Sequence, residues 1–301
     1  MKEVTLSIII VTMNRSAQLE EAMLSCLKCV LPPKTEFIII DNASTDNTAS
    51  VVNNIKEEYN KYRFYYERLP ENIGCGNGRN YAYKLASGMY VYALDDDAYI
   101  DESNLDFFIK AVDYFDKYKD IVTLTTQIYD LAWKGYRQAT LGRSIDDNLD
   151  ECFVFRGGSH FLRKSYFIDS PYFPNKYDNE EFMPSIYVED DRKINAFAKN
   201  LRIIHNPLLN KWTENNEAQR KTMISGCATK YIMKKMLYPR IFAPFLWVTF
   251  VARSKKYLKN KEEYKTAKLI CKDMYKTYHV PKRIRLSTTL RLLQKYGVTA
   301  L

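Results

Sequence analysis

Leu6 to Thr12 reads LSIIIVT, an unbroken apolar and β-branched run of strand length, the pattern of a strand covered on both faces. Behind it Leu19, Ala22, Met23, Cys26, Leu27 and Val30 recur at helical spacing, one face of an amphipathic helix that Pro32-Pro33 stops. Phe37 to Ile40 is a second buried strand ending at Asp41. Ser44 to Asn47 supplies cap chemistry for a helix carrying Val51, Val52 and Ile55. Arg63 to Tyr66 predicts a third strand, the Gly-rich turn 74–78 opens another helix, and Tyr90 to Leu94 predicts a fourth strand ending at Asp95. Further on, the pattern predicts a helix with Leu105, Phe108, Ile109 and Val112 inward, a strand over 121–126, and a polar loop over 127–151. A helix over 189–200 and a short strand over 202–204, halted by Pro207, complete the reading up to a helical, Tyr-rich tail from about Ala218.

Strands alternating with helices at this rhythm imply βαβ units and a mostly parallel sheet. Ligands of such sheets bind just beyond the carboxyl ends of the strands. Asp41 and Asp95 each follow a buried strand directly, so the fold class alone predicts both carboxylates at the ligand edge.

Composition narrows the class. The chain has 301 residues, 46% apolar and 27% charged, which excludes an intrinsically disordered protein. Six cysteines are too few for a disulfide framework at this length, and the amino terminus reads as a strand instead of a leader peptide; both predict a cytoplasmic location. Charge is uneven. Residues 211–301 hold 21 Lys and Arg against 5 Asp and Glu, whereas residues 1–210 hold 24 against 31. The basic tail therefore seeks an anionic surface.

Asp95-Asp96-Asp97 concentrates three carboxylates after a strand. An isolated run of this kind is usually a solvated acidic turn, but at a strand end beside Asp41 it suits a hard divalent cation, Mn2+ or Mg2+. Cys26 and Cys29, a C-x-x-C inside a helix with no second pair, read as core packing.

Four segments together resemble glycosyltransferase family 2, the inverting enzymes of GT-A (Rossmann-like) fold that use nucleotide sugars. They are Thr12 with Asn14 and Arg15; Asp41-Asn42-Ala43-Ser44-Thr45-Asp46; Asn72-Ile73-Gly74-Cys75-Gly76-Asn77-Gly78-Arg79-Asn80; and Leu94-Asp95-Asp96-Asp97-Ala98. The resemblance covers about residues 4–210 and fades in the tail. It implies an α/β domain over 1–215, its mostly parallel sheet flanked by helices, and a helical basic region over 216–301 for acceptor, membrane or oligomer contacts.

It further implies that Asp41 accepts a hydrogen bond from the nucleotide base, with Thr12 and Arg15 in the same pocket. Arg79 and the turn at Gly74 approach the diphosphate or ribose. Asn14, Asn42, Asn72 and Asp96 fall on the substrate side, Asp95 contacts the ribose or sugar side and the metal, and Asp97 holds the metal. Gly158 and His160 belong to an acceptor-side loop. An inverting transfer also needs a general base. Glu189-Asp190-Asp191 resembles the family's acidic dipeptide, with Asp190 the base in one register and Glu189 in the other. Many relatives carry a metal-binding His near the position of Trp212-Thr213; neither is a His, and His205 falls too early, which leaves Asp97 most of the coordination.

The expected activity is a metal-dependent, hexosyl-type glycosyltransferase of polysaccharide or glycoconjugate synthesis. Its expected partners are a nucleotide diphosphate sugar and a glycan or lipid-linked acceptor. In the tail, Ile241 to Ala252 is too short to span a bilayer; beside clustered Lys and Arg it suits either a core helix or peripheral contact with an anionic membrane at its inner face. Two other classes remain open at this point: a nucleotidyltransferase acting on sugar phosphates, which lacks its usual glycine loop after the first strand, and a basic nucleic-acid-binding protein, for which no recognition motif exists.

Overall fold

The first four strands and the helices between them form as the pattern predicts, in a computed structural model that describes residues 4–177, 179–207 and 217–301. In chain order the first hundred residues give β1 (Leu6–Thr12), α1 (Ser16–Lys28), β2 (Thr35–Asp41), α2 (Thr48–Glu58), β3 (Arg63–Arg68), α3 (Cys75–Leu85), β4 (Tyr90–Asp95) and β5 (Ala98–Ile100). Next come α4 (Phe107–Lys117), β6 (Ile121–Asp130), β7 (Gly135–Tyr136), β8 (Leu141–Asp146), β9 (Leu149–Cys152), β10 (Ser159–Arg163), α5 (Phe182–Asp190) and β11 (Ile194–His205). The tail forms α6 (Glu217–Leu237), α7 (Ala243–Tyr257), α8 (Lys261–Thr277) and α9 (Leu286–Tyr296). Two units result. One gathers residues 1–172 and 193–207, the other 173–192 and 208–301, so the segment 173–192 groups with the tail helices.

In the first unit the strands order β3-β2-β1-β4-β10-β6-β11-β9-β8, with β5 on β11 and β7 on β6. β1, β2, β3 and β4 are parallel neighbours, β10 is antiparallel to both β4 and β6, and β11 is parallel to β6. The sheet is thus mostly parallel by direction, with β10 reversed in its middle. Buried Leu6, Ile8 and Ile10 of β1 belong to one core with Leu19, Met23 and Cys26 of α1 and with Phe37 and Ile39 of β2. Tyr92 packs its ring on Phe107, Phe108 and Phe161, at 5.4, 5.3 and 4.3 Å between centroids. Burying each such ring stabilises the unit by about 1.5–3 kcal/mol. Cys26 and Cys29 are buried, and burial pushes the Cys29 thiol up to about 12, so the pair is core packing as expected.

Two stretches differ from the pattern. The expected helix over 189–200 is instead the end of α5 followed by β11. Arg192 adopts a left-handed φ of 58° and stops the helix, and Ala196, Phe197 and Ala198 then pair with β6 on one side and β9 on the other. Sheet pairing overrides the helical propensity of Ala and Lys there. The expected loop 127–151 contains the end of β6, the two-residue β7 and the β8–β9 hairpin, whose Leu149 and Glu151 face the partner strand β11.

In the second unit α6 packs against both α7 and α8, with Phe250 of α7 stacked on Tyr231 and on Tyr264 at 4.7 and 5.8 Å. Lys234 is buried, its Nζ 3.0 Å from the Thr299 carbonyl. Among the described residues no helix is long and apolar enough to cross a membrane.

Candidate active site

Parallel register decides which residues share the carboxyl rim of the sheet. Thr12 pairs with Asp41 across β1 and β2, while Val11 pairs with Asp95 across β1 and β4. Further along the same rim, Asp130 ends β6 directly opposite His205 at the end of β11. After β4 the chain turns through Asp96 and Asp97 into β5, whose Ala98 pairs antiparallel with His205. That pairing folds the acidic turn back onto the end of β11, and the Asn206 amide donates to the Asp97 carbonyl at 2.7 Å.

Asp95, Asp97 and His205 consequently bring one ligating atom each to within 4.8 Å of one another. His205 Nε2 is 3.3 Å from Asp97 Oδ1. The other ring nitrogen, Nδ1, lies 3.0 Å from Asp130 Oδ2 and 2.8 Å from Arg137 Nη2, and Arg137 also donates twice to Asp130. With Asp130 and Arg137 on its Nδ1 side, the imidazole turns Nε2 toward the acidic turn. The donor set, two carboxylates and one imidazole, fits Mn2+: oxygens suit a hard cation and the nitrogen favours a transition ion over Mg2+. His205, which the sequence reading judged too early in the chain, thus lies beside Asp95 and Asp97. Trp212 and Thr213 lie outside the described residues.

Arginines set the electrostatics. Arg79, buried on α3, donates to Asp95; despite burial, Arg79 with His205 and Arg137 holds that carboxyl below its ordinary range. Arg15 reaches Asp96 Oδ1 and Asp97 Oδ2, both at 2.8 Å, and those carboxylates raise its pKa against the effect of burial. Asp96 behaves differently. Burial, helped by Asp97, pushes it up to about 6 against Arg15, and Thr12 Oγ1 donates to its Oδ2 at 2.8 Å.

The remaining predicted residues of the first unit fall around this rim. Asp41 is buried, accepting from the Ser44 amide at 2.7 Å and from the Tyr66 hydroxyl at 2.8 Å; a carboxylate with two partners retains acceptor capacity. Beside it, Asn42 Oδ1 is buried without a hydrogen-bond partner. Asn14, at a φ of 53°, accepts from the Thr45 amide at 2.7 Å and so ties the β1 turn to the β2 turn. Asn72 accepts from the Gly74 amide at 2.8 Å, and Gly74, at a φ of 83°, caps α3.

Gly158 has a φ of 99°, and its carbonyl accepts from the Asp95 amide at 2.9 Å. A Cβ there would stand 3.4 Å from Asp95 Oδ2 and 3.3 Å from Ile128. His160 is fully buried on β10, its Nε2 2.7 Å from the Tyr172 hydroxyl. Burial and Arg79 push its pKa down to about 3, so it stays neutral at working pH. Asp130, Arg137 and Tyr172, unlike these, were not legible as site residues; each owes its place to strand register or to a long-range contact.

Glu189, Asp190 and Asp191 belong to the second unit, at the end of α5. Asp190 Oδ1 accepts from the Arg285 amide at 3.1 Å, Arg285 Nε at 3.2 Å and Thr288 Oγ1 at 2.6 Å. Despite burial, those bonds lower its pKa. Glu189 Oε1 accepts from Lys295 Nζ and the Tyr296 hydroxyl, both at 2.9 Å. Asp191 is exposed, with Lys282 Nζ 3.7 Å away. The acidic run thus fastens α5 to α9 and to the segment before it.

Comparison with known proteins decides what this rim belongs to. Residues 7–174, more than half of the chain, match the family described as Glycosyl transferase family 2. The chain belongs to that family. Its curated relatives include an uncharacterized glycosyltransferase of Haemophilus influenzae, 32% identical over 101 residues that cover 34% of this chain and 39% of the relative. They also include a poly-beta-1,6-N-acetyl-D-glucosamine synthase of Staphylococcus epidermidis, 34% identical over 97 residues, covering 32% of this chain and 23% of that one. The matched segment spans less than half the length of either relative.

The GT-A fold is shared more widely. S. aureus TarS 1-349, solved in complex with UDP-GlcNAc, superposes with a TM-score of 0.65 at 15% identity over 99% of this chain and 89% of that one. The mannosyltransferase PcManGT of Pyrobaculum calidifontis, solved with GDP-Man and Mn2+, gives 0.60 at 16% identity over 99% and 82%. For this member of glycosyl transferase family 2, those likenesses establish the fold.

Proposed function

We propose that this chain transfers a sugar, with inversion at the anomeric carbon, from a nucleoside diphosphate sugar to an acceptor hydroxyl in glycan synthesis. The observation that carries the reading is the trio Asp95, Asp97 and His205 at the carboxyl rim, its imidazole held from behind by Asp130. A Mn2+ ion held by that trio would neutralise charge on the departing nucleoside diphosphate.

The other roles follow from what each side chain offers. Asp41 and the buried acceptor Asn42 Oδ1 receive the N–H groups of the base. Arg15 and Arg79, already beside the acidic turn, exchange part of their carboxylate contacts for diphosphate oxygens. Gly158 keeps the backbone close to the sugar, and neutral His160 fixes Tyr172 beside Arg79, whose guanidinium lies 5.8 Å over the Tyr172 ring. The base comes from the acidic run, with Asp190, ionised by its hydrogen bonds, first and Glu189 and Asp191 as alternatives.

Structural neighbours support the donor class: TarS was solved with UDP-GlcNAc and PcManGT with GDP-Man. The test is a panel of UDP-, dTDP- and GDP-sugars with and without Mn2+, reading thermal stability and released nucleotide. A ligand that binds only the native state raises its melting point. Metal-dependent stabilisation with release of nucleoside diphosphate supports the reading, and Asp97→Ala abolishes turnover while the protein stays folded. Release of pyrophosphate instead identifies a nucleotidyltransferase, and a melting point indifferent to every nucleotide overturns the donor site.

A further inference from the structure

Between Glu217 and Glu262 the chain has no acidic residue and 11 basic ones. Within that stretch α7 is apolar on two opposite faces. Leu246, Phe250 and Ser254, spaced four apart, are buried, and Phe250 stacks on Tyr231 and Tyr264. Phe245 and Val248, on the opposite stripe, are 60 and 65% exposed, and Ile241, in the short turn just before α7, is 70% exposed. The stripe continues through exposed Ala252 to exposed Lys255, with Lys256 next to it, and exposed Arg240 stands at its other end. On α8 a second row, Lys261, Lys265, Lys268, Lys272 and Lys276, is exposed on one face.

We propose that Phe245 and Val248 on the exposed stripe of α7, with Arg240 and Ile241 in the turn before it and Lys255 and Lys256 near its end, seat this protein on an anionic lipid surface. The apolar residues enter the headgroup region while the cations meet lipid phosphates. The charge pattern chooses this occupant. A second copy would bring the same cations to the contact and repel, and a soluble polyanion would have no use for Ile, Phe and Val held open to water. A helix of 15 residues is about 22 Å long, too short to cross a bilayer and suited to lie along one. The inference does not depend on the transfer reaction.

Co-sedimentation of the full chain with vesicles tests it, comparing phosphatidylcholine alone with phosphatidylcholine containing about one third phosphatidylglycerol. The chain sediments with the anionic vesicles and stays in solution with the neutral ones. Phe245→Ser combined with Val248→Ser lowers that partition about tenfold or more without shifting the melting point, because both side chains are exposed. Lys255→Glu with Lys256→Glu lowers it by a similar factor. Equal behaviour on both vesicle types, or sedimentation of the serine variant like the parent, overturns the proposal. So does retention on heparin with no vesicle binding, which identifies a soluble polyanion, or a dimer in solution that the serine variant splits, which identifies a second copy.

Discussion

Asp130 stands 3.0 Å from Nδ1 of His205, on the side of the imidazole away from Asp97. With Arg137, from which it also accepts, it braces the ring so that Nε2 faces Asp97. Asp130→Ala therefore weakens Mn2+ binding by about 10–100-fold, read by calorimetry on the folded protein. His205→Ala weakens it at least as much. If Asp130→Ala binds Mn2+ like the parent, the imidazole is not held for coordination.

At Gly158 the backbone lies against the acidic turn, its carbonyl accepting from the Asp95 amide at 2.9 Å. Gly158→Ala imposes a side chain on a φ of 99° and presses on Asp95 and Ile128. The expected cost is about 1–2 kcal/mol of stability, with a loss of donor turnover beyond what the lowered melting point explains. A variant with parental melting point and kcat shows that the loop yields without consequence.

Asp190 separates structural from chemical work. Its amide variant keeps an acceptor for Thr288 but loses the charge that Arg285 uses, so Asp190→Asn lowers stability by about 1–3 kcal/mol. If Asp190 is also the base, kcat falls by orders of magnitude at a temperature where the variant is folded, while the donor still stabilises it. Full kcat in folded Asp190→Asn moves the assignment to Glu189→Gln or Asp191→Asn as the inactive variant.

Lys234 predicts a pH dependence of stability. Burial, with Arg253 and Lys230 nearby, lowers its pKa from 10.5 to about 7 in the folded protein. Between those values the unfolded chain holds a proton that the folded chain lacks, so stability rises with pH across about 7 to 10.5. Below 7 both states are protonated and the penalty is constant. Melting points of the parent and Lys234→Met compared at about pH 6 and about pH 9.5 should converge, or favour the parent, at the higher value. Parallel slopes show that the amine titrates alike in both states.

The parallel half of the fold was legible because β1, β2 and β4 are each a short apolar run ending in a polar residue. Asp41 and Asp95 could be placed on the rim from that alone. His205 could not, since its place depends on β5 turning back so that Ala98 pairs with it, a long-range register with no local signal. The first part of the strand over 194–205, ahead of the stretch 202–204 that was read as extended, was hidden for a related reason. Ala196, Phe197, Ala198 and Lys199 carry helical propensity, and only their neighbours on β6 and β9 make them extended. Within the acidic run, the sequence showed carboxylates suited to proton transfer but not the Arg285, Thr288 and Lys295 contacts that occupy them.

The reversed strand β10 has a consequence for how such a site can diversify. Because it runs against β4, its opening residues Ser159 and His160 lie level with Leu94 and Ala93, where the neighbouring strand is finishing. The turn that precedes it is thereby delivered to the working edge, while its far end is pinned in the interior by Phe161 and Leu162. That turn can be lengthened or rewritten without disturbing the ladder that supports it.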